Sequence, residues 1–145
     1  MKRVQYVFVF FFVIVVAGWV KAQTVEVRIS NLINNRGTVN IGIFKDQGSF
    51  DKEKPFEQKV FSKQSVKNGN LTVKFHLPVG TYGLALLDDE DNDGQMRYNF
   101  LGIPREGFGF SNYESSGMTK PKFSDFSFRV SKGNNIVNVK IRYIF

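Results

Sequence analysis

Cysteine is absent from this 145-residue chain. No disulfide can staple the fold, no thiolate can serve as a nucleophile, and the thiolate zinc sites are closed to it. Histidine occurs once, at His76, so a Cys/His pair cannot form and any Ser–His–Asp arrangement would depend on that one ring. The sole tryptophan is Trp19. There is no run of Lys or Arg, no heptad, no internal repeat and no sustained helical stripe. These absences remove most hydrolytic and redox chemistry, and the chain is expected not to be an enzyme. Two carboxylates can cleave glycosides. Here, however, the acids crowd on one loop, and the ring best suited to a sugar platform lies in the leader.

The N-terminus carries a basic start (Lys2, Arg3), an unbroken run of apolar residues and glycine from Val7 to Val20, and the small residue Ala22 after Lys21. The run falls short of the ~20 residues that cross a bilayer. It is expected to be a secretory signal peptide over residues 1–22, leaving one domain over 23–145 with no stable membrane insertion after cleavage. All thirteen acids lie beyond residue 22, and Lys2, Arg3 and Lys21 lie before it, so the formal charge falls by three, from +7 to +4. That modest surplus, without basic clusters, argues against a nucleic-acid partner. The expected location is outside the cytoplasm: periplasmic, secreted or at the surface of a bacterium.

From Thr24 onward the apolar period is two. Val25, Val27 and Ile29 alternate with Glu26 and Arg28; Val39, Ile41 and Ile43 repeat the pattern. A short strand is expected around Lys59 to Val66, and the clearest alternation is Leu71, Val73, Phe75 and Leu77, with His76 on the solvent side. Further strands are expected over Tyr82 to Leu87, Phe123 to Val130 and Val137 to Tyr143. Asn31 to Gly37, Asn68-Gly69 and Lys132 to Asn135 supply turns. In the connection from Lys45 to Gln58, Pro55 forbids a continuous ladder, and Phe50 and Phe56 are expected to pin the segment down. The fold expected is an all-β, antiparallel β-sandwich of about seven strands.

Between Asp88 and Pro121 neither period is sustained, and a connection that long is usually functional or disordered. Its aromatic residues argue against disorder. It opens on Asp88-Asp89-Glu90-Asp91-Asn92-Asp93-Gly94. The alternation Asp89, Asp91, Asp93 followed by Gly94 is the first half of a calcium loop: carboxylates two apart point inward, and glycine allows the turn that delivers the Gln95 carbonyl. The twelfth position, which in a helix–loop–helix site brings a bidentate acid, is Phe100. The closing ligand must therefore come from elsewhere, Glu106 or Asp125, and the expected site is a structural calcium held by Asp89, Asp91, Asp93, Gln95 and Glu106. Asp88 and Glu90, of the opposite parity, are expected to face water or basic side chains.

Leu77-Pro78-x-Gly80-x-Tyr82, the acidic run, Phe100-Leu101-Gly102-Ile103-Pro104-x-Glu106-Gly107-Phe108-Gly109-Phe110-Ser111-Asn112 and Pro121-x-Phe123-x-Asp125-x-x-Phe128 occur in that order. Over nearly the whole mature chain they resemble the small exported bacterial proteins grouped as domain-of-unknown-function family 2141. The resemblance implies a signal peptide, an all-β domain of immunoglobulin-like or prealbumin-like type and no assigned activity. It also implies a further acid after the Asp-rich run, near where this chain has Arg97. The glycines and aromatics from residue 100 to 112 suit either a partner surface, built on Phe100, Gly107, Phe108, Phe110 and Asn112, or a plug across the end of the sandwich. The expected partner is an envelope protein or glycan; the alternatives are a purely structural accessory domain and a small hydrolase.

Overall fold

A computed structural model describes residues 21–114 and 116–144; the expected signal peptide, apart from Lys21 and Ala22, lies outside the described residues. The alternating stretches form β1 (Gln23–Ser30), β2 (Thr38–Phe44), β3 (Glu57–Ser62), β4 (Leu71–Leu77) and β5 (Gly80–Asp89), followed by β6 (Gly107–Phe110), β7 (Ser127–Val130) and β8 (Asn135–Lys140). They make two sheets, one ordered β4-β1-β8 and one ordered β3-β2-β5-β6 with β7 also paired to β5. The domain is an all-β sandwich. Among the described residues no helix is long and apolar enough to cross a membrane.

Period two is what closes the sandwich. Val25, Val27 and Ile29 of β1 and Val73, Phe75 and Leu77 of β4 turn inward, against Val39, Ile41 and Ile43 of β2 and Leu84 and Leu86 of β5. Each fully buried aliphatic side chain contributes roughly 1.5–3 kcal/mol. Among the described strands every pairing is antiparallel except β1 with β8, where Val27 lies beside Val137. These strands open and close the domain, so the long crossover that a parallel pair demands is supplied by everything between them.

Among the described residues there are eight strands rather than about seven, and the differences have local causes. β6 was hidden because two of its four positions are glycines, which blanks one face of the alternation. Phe123–Phe126 is a helical turn, α2, not the start of a strand. The Asp125 carboxylate accepts from the Lys122 N–H at 2.8 Å and curls the chain, so the strand begins only at Ser127. A second short helix, α1 (Gln47–Asp51), sits in the first long connection; Asp46 caps it by accepting from the Ser49 N–H at 2.7 Å. Phe50 is buried by this turn, whereas Phe56 is half exposed, with the Lys45 ammonium 3.5 Å from its ring centroid.

β6 and β7 share one edge of β5, β6 opposite residues 85–88 and β7 opposite residues 80–83. Ser111 fills the gap between them. Its N–H donates to the Leu84 carbonyl at 3.0 Å, its hydroxyl accepts from the Leu84 N–H at 2.9 Å, and that hydroxyl donates to the Phe126 carbonyl at 2.5 Å. A buried serine thus satisfies the backbone where two short strands cannot both reach.

The plug expected from Phe108 and Phe110 is reversed. In β6 it is Gly107 and Gly109 that face inward, against Tyr143, Ile141 and Val139, while the two phenylalanines point to the outer face of the five-stranded sheet. There Phe44, Phe50, Phe110 and Phe126 form a second apolar cluster under α1 and α2, with edge-on ring pairs such as Phe50–Phe126 at 4.8 Å. A Cβ on Gly107 would lie 2.4 Å from the Tyr143 ring and 2.6 Å from the Ile141 side chain. Gly107→Ala is therefore expected to destabilise the domain by about 1–3 kcal/mol, as overpacking does, with a matching drop in the urea midpoint.

Candidate metal centre

β5 runs two residues further than its apolar alternation, and this places the acidic loop. Asp89, the last strand residue, is 1% exposed. Its Oδ2 accepts from Asn40 Nδ2 on β2 (2.9 Å) and from the Gly94 N–H (2.8 Å), and its Oδ1 accepts from the Asp93 N–H (3.1 Å). The loop thus folds back around Asp89, helped by positive φ at Asn92 (61°) and Gly94 (73°). Gly37 permits the approach from the other side: at its φ of 74° a Cβ would fall 2.1 Å from the Asp89 carbonyl oxygen.

Asp91 and Asp93 project to the same side. Beyond the loop the chain forms a narrow ribbon, the Arg105 N–H donating to the Arg97 carbonyl at 2.8 Å and the Asn99 N–H to the Ile103 carbonyl at 2.9 Å. The ribbon returns Glu106 to the cluster. One carboxylate oxygen from each of Asp89, Asp91, Asp93 and Glu106 falls within 4.8 Å of all the others. Of the two closing ligands weighed from sequence, Glu106 is in the cluster. Asp125 instead caps α2. Gln95 is exposed at the loop's end, its N–H donating to Asp93 Oδ1 at 2.8 Å.

The electrostatics follow from this crowding. Burial pushes the Glu106 carboxyl above its ordinary range, and the charges of Asp91, Asp89 and Asp93 add to the rise against an opposing N–H from Arg97. Asp93 is held below its ordinary range, by the Gln95 N–H first and the Arg97 guanidinium second. Arg97 grips both loop acids, Nη2 at 2.6 Å from Asp91 and Nε at 2.8 Å from Asp93. It thus supplies a positive charge where the family resemblance leads one to expect another acid. Four carboxylates against one guanidinium leave a surplus of negative oxygen. The set is hard, all-oxygen and without nitrogen or sulfur, which fits a cation of the calcium or magnesium kind rather than zinc or copper.

Two acids of the run lie elsewhere. Glu90 meets Arg36 at 3.1 Å. Asp88 does not face water: it is fully buried, paired with the equally buried Lys63, and accepts a hydrogen bond from the Tyr143 hydroxyl. Lys63 also donates to Asn34 Oδ1 at 3.1 Å. Burial, then the Asp88 carboxylate, hold the Tyr143 hydroxyl protonated far above its ordinary range. This buried trio escaped the sequence reading although period two carried the signal: Asp88 shares parity with Leu84 and Leu86, and Lys63 with Phe61.

The residues considered for a partner surface are not gathered on one. Phe100 stands 95% exposed at the ribbon's tip. Gly107 is interior, Phe108 and Phe110 lie on the outer face of the large sheet, and Asn112 fastens β6 to β8 by accepting from the Asn138 N–H at 2.9 Å. His76 lies exposed on β4, its Nδ1 3.3 Å from the Thr24 hydroxyl.

Fold and site together define a small all-β domain with an oxygen-lined acidic centre at the end of its longest strand. The chain belongs to the family described as uncharacterized protein conserved in bacteria (DUF2141), whose model matches residues 27–138. No curated protein and no solved structure matches it.

Proposed function

We propose that this protein is an exported, non-enzymatic domain of the bacterial envelope whose long loop is organised by a structural calcium ion and which presents that loop to a protein or glycan partner. The observation that carries the reading is the return of Glu106, from a distant part of the chain, to within 4.8 Å of Asp89, Asp91 and Asp93. Asp89 and Glu106 would bind from the protein side, Asp91 and Asp93 from the loop. Arg97 competes with the ion for the latter two. Calcium accepts six to eight oxygens, so water and the Gln95 carbonyl would complete the shell. The role of such an ion is mechanical: it offsets the mutual repulsion of the acids and holds the ribbon in one orientation.

Export rests on the basic, apolar and small-residue pattern of residues 1–22, and the absence of catalysis on the residue inventory. The test is a melting curve of the mature protein after metal stripping. Calcium at about a hundredfold excess over Kd adds about 2.7 kcal/mol, or roughly 10 °C in Tm for a domain of this size, and EDTA reverses it. An unchanged Tm at saturating calcium removes the ion from the account.

A further inference from the structure

The outer face of the five-stranded sheet is not only a site of packing. Beside the aromatic cluster lies a cleft of about 370 Å³, roofed on one side by the acidic loop and its ribbon and on the other by the segment 117–121. Its floor is made of small or slender residues of β2 and β5, among them Gly42 and Ala85. Its walls are Phe44 and Phe108 from the strands, and Met96 and Met118 from the two covering segments. The cleft is thus flanked by loops on both sides of a rigid sheet and lined mostly by apolar residues, with Asn40, Gln58, Glu53 and Lys120 among its polar ones. Methionine walls adapt to an unbranched chain better than branched ones, because three torsions per side chain can re-pack around it.

At the mouth stands Lys120. Its ammonium lies 4.4 Å above the Phe50 ring centroid and donates to the Phe50 carbonyl at 3.3 Å. Its nearest acid, Glu53, is 3.9 Å away and largely exposed, too loose a pair to hold it in water. A cation fixed over an aromatic ring at the rim of an apolar cleft selects for one kind of guest: an anionic head with an apolar tail.

We propose that this cleft binds an unbranched aliphatic carboxylate, its chain between Met96, Met118 and Phe108 and its head at Lys120. At about 370 Å³ the cleft lies at the small end of the range for ligand pockets, which suits a medium-chain fatty acid. The cleft shares the loop and ribbon with the carboxylate centre, but none of that centre's four carboxylate residues lines it.

The experiment is calorimetric or fluorescence-displacement titration of the mature domain with decanoate and, as the uncharged counterpart, decanol. The wild type is expected to bind decanoate at micromolar to sub-millimolar Kd. Ala85→Leu fills the floor from a rigid strand and should weaken both ligands at least about tenfold. Should that variant fail to fold, Met118→Trp closes the same space from a loop. Lys120→Gln should weaken decanoate several-fold and leave decanol unchanged. The proposal is overturned by a wild type that takes up neither ligand at millimolar concentration, by filled variants that bind both as well as wild type, or by a Lys120→Gln effect equal for acid and alcohol.

Discussion

Replacing Lys63 by methionine is expected to destabilise the domain by about 3–5 kcal/mol, the cost of leaving one charge of a buried pair without its partner. Lys63 and Asp88 are both fully inaccessible, so water cannot solvate the carboxylate that remains, and the Tyr143 hydroxyl is a single neutral donor. Asp88→Asn keeps an acceptor for Tyr143 but strands the ammonium, and should cost a comparable amount. The double variant Lys63→Met with Asp88→Leu removes both charges. It is expected to recover most of the loss, because an apolar replacement of a whole buried pair is commonly neutral or better. Urea denaturation of the two single variants and the double variant reads this directly as a coupling energy. Additive losses would show that the two side chains do not depend on each other. The pair matters for the metal centre because Asp88 and Asp89 are adjacent on β5: fixing one into the core fixes the other at the loop's root.

The second large effect is a reversal of sign at Glu106. In the metal-free protein, Glu106→Gln is expected to raise Tm at neutral pH, since it removes a charge that burial and three neighbouring acids oppose. In saturating calcium the same change is expected to abolish the stabilisation given by the ion and leave the variant below wild type. The pH dependence follows from the direction of the shift. The native carboxyl titrates above its ordinary value of 4.5, so between those two values the folded state holds the extra proton. This group therefore favours the fold as pH falls through that window and disfavours it as pH rises out of it. Asp93 acts in the opposite sense. Its lowered value contributes stability above the ordinary value of 3.8, and that contribution disappears as pH falls through the native one. Glu106→Gln should remove the first slope and leave the second. Calcium affinity, which requires the ionised acid, should fall as pH drops through the raised Glu106 value in the wild type alone. Stability of the variant that still responds to calcium as wild type does would take Glu106 out of the ligand set.

The strands whose apolar residues alternate without interruption were legible to within a few residues, because each has one wet and one dry face. Where the alternation carries glycine, as in β6, the strand leaves no mark in the sequence; where a capped turn interrupts it, as at Asp125, alternation predicts a strand and the structure has a helical turn. Phe123 and Phe126 are three apart, and that spacing was the available sign of a turn. For the centre, the alternating acids were plain, and so was the need for a distant closing ligand. The choice between Glu106 and Asp125 was not, since each is an acid beyond the loop and nothing local distinguishes them.

The sequence by itself determined the all-β class, the run of acids whose parity sends three carboxylates one way, and the absence of any thiol, because all of these follow from residue type and period. The tertiary structure alone decided which acid closes the cluster, that Asp88 joins Lys63 in the core, and that Phe108 and Phe110 line the outside of a sheet. The reason is physical. Periodicity states which residues share a face, but whether that face meets another sheet, a covering loop or water depends on strand order and on where the long connections return.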